Sequence, residues 1–184
     1  MKWFIASDIH GSALYCREML AAFDKEQADR LLLLGDLLYH GPRNDLPDEY
    51  APKEVISLLN EREESILCVR GNCDAEVDQM VLHFPILADY AVIDLGTRLL
   101  YVTHGHVHGE NNPPALKRGD ILLQGHTHVP RRIEKDGVLM LNPGSVSLPK
   151  ESTPHSYMIL EGDTFYWKTL AGEEYMRHTL KPEV

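Results

Sequence analysis

With 184 residues and 20.9 kDa, the chain has one domain as its default, large enough for a real core, and 43% hydrophobic and 25% charged residues are ordinary for a globular protein. Eighteen basic against 28 acidic side chains leave a formal charge of -10, which argues against binding long nucleic acid through a basic surface. The same charge leaves room for a small phosphate substrate if metal ions supply the positive charge.

Cys16, Cys68 and Cys73 are odd in number and lack CxxC spacing, so they read as free thiols in a reducing compartment. The opening MKWFIASD is too short for a signal peptide, and no apolar run approaches membrane-spanning length. The expectation is a cytoplasmic, soluble protein that does not engage a membrane.

In chain order, Trp3 to Ser7 is a short strand ending at Asp8-Ile9-His10-Gly11, and Ser12 caps a helix that carries Leu14, Met19, Leu20 and Phe23. Leu31 to Leu34 is a strand buried on both faces, cut off by Gly35-Asp36. Tyr39 to Pro52 is a long loop of the kind usually kept for function. A helix over Lys53 to Glu63, a strand over Ser65 to Val69 leading to Arg70-Gly71-Asn72-Cys73-Asp74, and a short helix over Glu76 to Leu82 follow. Then come strands over Tyr90 to Leu95 and Arg98 to Thr103, the second ending at His104-Gly105-His106. Asp120 to Gln124 leads into Gly125-His126-Thr127-His128. Arg131 to Glu134 and Val138 to Leu141 form a hairpin about an Asp136-Gly137 turn. Two or three antiparallel strands fill Ser156 to Leu180. The βαβαβ start followed by a run of strands predicts a single domain, residues 1–184, of two packed sheets flanked by helices.

Five strand ends in this order carry oxygen or imidazole donors beside a glycine: Asp8, His10, Asp36, Asn72, His104, His126 and His128. One Asp-x-His pair is weak evidence, since i and i+2 share a face of any extended chain, and a lone histidine is more often a satisfied core or surface residue. The set of seven is another matter. Carboxylate, imidazole and amide donors suit borderline divalent ions such as manganese, iron, nickel or zinc. Seven donors exceed one tetrahedral zinc and match two ions about 3.5–4 Å apart sharing a carboxylate. Asp36, at the end of the most buried strand, is the natural bridge.

The order Asp8-x-His10, Gly35-Asp36, Gly71-Asn72, His104 and Gly125-His126-x-His128 resembles the calcineurin-like metallophosphoesterase superfamily. The resemblance runs from residue 3 to about 147. Small size, GNCD at Gly71 to Asp74, HGPRN at His40 to Asn44 and NPGS at Asn142 to Ser145 are similar to its small bacterial phosphodiesterases. The resemblance implies a four-layer α/β/β/α sandwich of two mixed sheets with the site at the strand ends. It also implies Asp8, His10, Asp36 and His128 on one metal and Asp36, Asn72, His104 and His126 on the other. Manganese is the expected ion, with zinc, iron or nickel as alternatives. Two cations would lower the pKa of a bridging water to give hydroxide for in-line attack on phosphorus.

Two departures stand out. The superfamily's usual histidine after the asparagine, which hydrogen-bonds substrate or protonates the leaving group, is Cys73, a weak hydrogen-bonder. The usual Asp-Arg before the loop glycine is Tyr39-His40. Asn72, Cys73 and His104 are the expected catalytic positions, and Arg43, Cys73 and His106 the expected substrate contacts, with His106 or His108 as a replacement acid. The resulting expectation is a dinuclear phosphodiesterase acting on small phosphodiesters, with self-association into a homo-oligomer allowed. A metal-binding interaction scaffold on the same fold is the rival from another class. A phosphomonoesterase or nucleotide pyrophosphatase is the rival among enzymes.

Overall fold

Leu31 to Leu34 are apolar at every position because both sides of their strand are covered. In the computed structural model, which describes residues 1–181, Leu31 and Leu33 pack with Met19, Phe23, Val55 and Leu59 of two helices. Leu32 and Leu34 join Ile5, Val102, Ile121 and Leu141 between two sheets. Alternation of successive side chains across the strand produces this division.

The elements are β1 (Lys2–Ala6), α1 (Ala13–Glu26), β2 (Arg30–Leu33), α2 (Pro52–Asn60), β3 (Ile66–Cys68), α3 (Glu76–Gln79), β4 (Tyr90–Asp94), β5 (Leu99–Thr103), β6 (Ile121–Leu123), β7 (Arg131–Lys135), β8 (Val138–Asn142), β9 (Ser156–Glu161), β10 (Thr164–Thr169) and β11 (Glu174–Thr179). One sheet runs β11-β10-β9-β1-β2-β3 and the other β4-β5-β6-β8-β7. Each is mixed. β1, β2 and β3 are mutually parallel, as are β5, β6 and β8, with antiparallel strands outside each trio.

Local chemistry sets the helix ends. The Ser12 hydroxyl accepts from Tyr15 N–H and caps α1. α2 begins with Pro52 and stops at Asn60, short of the Glu63 expected, because the Asn60 side chain bonds the backbone of Val81 and His83. A 3₁₀ turn over Glu63–Ser65 follows. α3 is one turn, not the helix to Leu82 that its pattern predicts. The Gln79 amide is committed to the carbonyls of Leu82 and Phe84 and to the N–H of Ile86, which holds the chain in a turn there. The Asp136-Gly137 turn has positive φ at both residues, 54° and 81°, the type I′ geometry expected for the hairpin.

The two mixed sheets are those expected, and α1 and α2 cover the outer face of the first. The outermost layer over the second sheet differs in kind. Among the described residues, Leu122, Val138 and Met140 are packed by Tyr101 and by Leu116 of the segment before β6, not by a helix. No helix among the described residues is long and apolar enough to cross a membrane.

Leu32 tests the central core. Its side chain is fully buried between the sheets. Leu32→Ala should cost about 2–5 kcal/mol, read as a lower denaturation midpoint at unchanged slope.

Candidate metal centre

Both parallel trios point their carboxyl ends to one edge of the sandwich, where open α/β sheets place ligands. Asp8 and His10 follow β1, Asp36 follows β2, Asn72 follows β3, His104 follows β5, and His126 and His128 follow β6. Past each strand the backbone turns sharply. Asp8, His10, Asp36, His126 and His128 all have positive φ, between 51° and 65°. Asp and His enter this left-handed region more readily than most residues, at some cost in strain. Such turns bring consecutive donors back to a point instead of letting them alternate.

Close backbone approach holds the turns together. A Cβ on Gly71 would lie 2.1 Å from Asp36 Oδ1 and 2.3 Å from its amide nitrogen, so only glycine fits. A Cβ on Gly125 would lie 2.0 Å from Ser7 Oγ. Asp74, buried behind them, accepts from the N–H groups of Asp36 and Leu37 (both 2.9 Å) and Gly71 (2.7 Å). The hydroxyls of Ser145 and Ser147 both donate to the Asp8 carbonyl, at 2.9 and 3.0 Å. The Asn142 amide donates to the Gly125 carbonyl and to Thr127 Oγ1, and Trp167 Nε1 donates to the Asn142 carbonyl.

Three imidazoles are oriented in one way. Nδ1 of His10, His104 and His128 lies 2.7, 2.7 and 2.6 Å from the carbonyl oxygens of Tyr39, Leu34 and Leu148. A carbonyl only accepts, so each Nδ1 carries the proton and each Nε2 turns inward. Such a partner fixes tautomer and ring direction for ligation. His10 Nε2 and His128 Nε2 then stand 3.3 Å apart. Among the described residues, Asp8 Oδ1 is buried without a hydrogen-bond partner, although His128 Nε2 is 3.3 Å and His10 Nε2 3.6 Å away. In the neutral tautomer, neither Nε2 has a hydrogen to offer it. Converging lone pairs around an orphaned carboxylate oxygen are what a cation satisfies.

Asp36 lies between this group and a second. Its Oδ2 is 3.6 Å from His10 Nε2 and 3.4 Å from His104 Nε2, while its Oδ1 accepts from Cys73 N–H at 2.8 Å. His104 Nε2 is also 3.0 Å from Asn72 Oδ1 and 3.2 Å from His126 Nδ1. All seven sequence-predicted donors are therefore brought together. Two carboxylates, not one, adjoin both groups, because Asp8 and Asp36 both lie within ligating reach of His104. Burial opposes charge on His104, but the bond to Asp36 and the charges of Asp8 and Asp36 push its pKa up to about 9. Burial and the neighbouring His104 charge push His126 down to about 4.

A cleft of about 320 Å³ opens over the donors, with Arg43, Asn44, Asn72, Cys73 and Lys150 on its walls. Burial and the adjacent Asp36 push the Cys73 thiol up to about 12. His106 is exposed, its ring centroid 5.3 Å from that of His104 and off the walls of the cleft. Lys150, Asp74, Ser145 and Ser147 were not singled out from sequence. GNCD and NPGS flagged the segments of Asp74 and Ser145 but not their bonds.

The family match covers residues 1–164 and is to the calcineurin-like phosphoesterase superfamily domain. The chain belongs to that superfamily. It is 48% identical over 163 residues, 89% of each chain, to the protein named Phosphodiesterase YfcE of Escherichia coli (strain K12). Its structure is similar to that of Yfce, described as a phosphoesterase from E. coli, with a TM-score of 0.94 and 44% identity over 98% of this chain and 100% of the other. Wild-type Vps29 of Entamoeba histolytica complexed with zinc shares the fold alone, at TM-score 0.59 and 20% identity over 98% of this chain and 100% of the other. The superfamily fold implies divalent metal ions, and the donor set fits them.

Asp74→Asn tests the brace behind the donors. An amide places N–H groups against a backbone donor, leaving a buried N–H unpaired at a cost of about 1–3 kcal/mol. The expected result, by denaturation of chelated protein, is a loss in that range together with weaker metal retention.

Proposed function

We propose that the protein is a metal-dependent phosphodiesterase acting on small phosphodiesters. The observation that carries the reading is the orphaned Asp8 Oδ1 facing imidazoles whose outer nitrogens are all committed to backbone carbonyls. The likeness to a protein named a phosphodiesterase supports the reaction class. We assign Asp8, His10, Asp36 and His128 to one ion and Asp36, Asn72, His104 and His126 to the other, with Asp36 shared. Manganese is the preferred assignment for that mixed oxygen and nitrogen set, with zinc, iron and nickel next. When bound, such ions supply acidity to a water near neutral pH and offset negative charge on phosphoryl oxygens.

The chain's own groups do the rest. Arg43, on the cleft wall, presents a planar fork of donors suited to two non-bridging phosphate oxygens, and Lys150 adds a second positive charge across the cleft. Asn72 lines the cleft and can combine ligation with contact to the reacting phosphoryl group, whereas His104, fully buried below it, is assigned as a ligand only. Cys73, whose thiol pKa is pushed up to about 12 by burial and the adjacent Asp36, is protonated in the metal-free protein and offers substrate at most a weak hydrogen bond. His106, its pKa lowered by partial burial and by the neighbouring His104, is a neutral ring outside the cleft walls, so it meets only an ester group that extends past them. The net charge of -10 and the small cleft favour small diesters over polymers. Three free cysteines fit a reducing cytoplasm. A scaffold on this fold has no need of seven converging donors, so the enzyme reading is favoured.

Assay of chelated protein on chromogenic phosphomonoesters and phosphodiesters, with each divalent metal restored in turn, tests the reading. Diester hydrolysis should appear with metal and vanish with chelator. Metal-loaded protein that cleaves monoesters but no diester, or nothing at all, overturns it.

A proton on His104 competes with metal. Its folded pKa is raised to about 9, so the competitor is present below that value and removed as pH rises through it. Apparent metal affinity should therefore increase from pH 6.5 toward about 9, with proton release seen by calorimetry in buffers of different ionisation enthalpy.

A further inference from the structure

The catalytic cleft has a neighbour of opposite character. Cys73 lines both the cleft and an open groove of about 470 Å³ walled by Leu38, Tyr39, Tyr50, Ile56, Val77 and Val81. Tyr39, Val77 and Val81 are 43, 64 and 41% exposed, a concentration of apolar side chains that a soluble surface rarely displays without use. The cleft beyond Cys73 carries Arg43, Asn44 and Lys150, whereas the groove carries Lys53 and Asp78, one charge of each sign and so no net pull on an anion. Asp78 is already engaged with the Ala75 N–H at 2.8 Å.

The join between the two is small and apolar. A Cβ on Gly41 would lie 3.2 Å from Cys73 Sγ, so the loop passes close to the thiol, and a thiol packs as a small hydrophobe. The groove is also fixed relative to the donors, because the Tyr39 carbonyl holds His10 Nδ1 at 2.7 Å. A phosphodiester has an anionic centre and two neutral ester arms. With the anion over the donors and the basic wall, an arm that passes Cys73 enters an apolar channel bearing two tyrosine rings, suited to offset or edge-on aromatic contact.

We propose that the Tyr39–Tyr50–Val77–Val81 groove is a substrate subsite that receives one ester arm, and that the enzyme selects phosphodiesters bearing an aryl or arylalkyl group. The subsite rests on the phosphodiesterase reading above and names its substrate class.

Dimethyl and dibenzyl phosphate are symmetric probes, so either arm can occupy the groove. Calorimetry on metal-loaded protein should find dibenzyl phosphate bound at least tenfold more tightly than dimethyl phosphate. The double variant Val77→Ser/Val81→Ser replaces exposed side chains that do not line the donor cleft, and should cut that ratio to threefold or less with dimethyl phosphate affinity unchanged. Equal binding of both probes to wild-type protein that hydrolyses aryl diesters overturns the subsite alone. So does a preference for dibenzyl phosphate that survives the double variant, which places the arm elsewhere. Sedimentation that shows a dimer lost in the double variant, with the ligand ratio intact, assigns the groove to a second copy instead. Protein that binds neither probe and hydrolyses no diester removes the phosphodiesterase reading, and the subsite with it.

Discussion

Asp74 accepts three backbone N–H groups from two strand ends, those of Asp36 and Leu37 after β2 and of Gly71 after β3. Those bonds set the distance between Asp36 and Asn72, and hence between the two groups of donors that share Asp36. They also exclude any residue but glycine at position 71, where a Cβ would strike the Asp36 carboxylate. Sheet pairing brings the strand ends to the same edge, but pairing ends at Leu33 and Cys68. Beyond that register the β2 and β3 ends are tied to each other by these side-chain-to-backbone bonds and by Cys73 N–H to Asp36 Oδ1, and the β2 end is tied to the β1 end by backbone bonds.

The five donors at positive φ carry a local backbone cost that an ordinary loop would avoid. Their surroundings over-determine them. Asp8 N–H bonds the Gly35 carbonyl, His10 N–H bonds the Asp36 carbonyl, and two serine hydroxyls hold the Asp8 carbonyl. The donors therefore converge before any ion arrives, and the protein tolerates facing lone pairs at His10 and His128 as the consequence. Preorganisation of this kind spends folding energy on ligand geometry.

The sheets and the donors were legible because each strand end is marked by a residue that chemistry restricts, next to a glycine. Asp8-x-His10 or His126-x-His128 alone is weak, but five such strand ends in chain order mark one site. What stayed hidden depends on backbone groups, which every residue shares. The carbonyls of Tyr39, Leu34 and Leu148 that orient three imidazoles have no sequence signature. Asp74 was visible as part of GNCD, but its role depends on a close approach across 38 residues to Asp36. The shortened α2 and α3 were missed because Asn60 and Gln79 favour bonds to distant backbone over the apolar period of their own helices.

The family match stops at residue 164, yet the chain continues through β10 and β11. Trp167, fully buried, reaches from β10 to the Asn142 carbonyl, and the Asn142 amide grips the Gly125-Thr127 turn that aims His126 and His128. The final hairpin is thus a buttress. A chain clipped where the family model stops would retain every candidate ligand and lose the strut that steadies two of them, so the limit of the family model and the limit of the working site do not coincide.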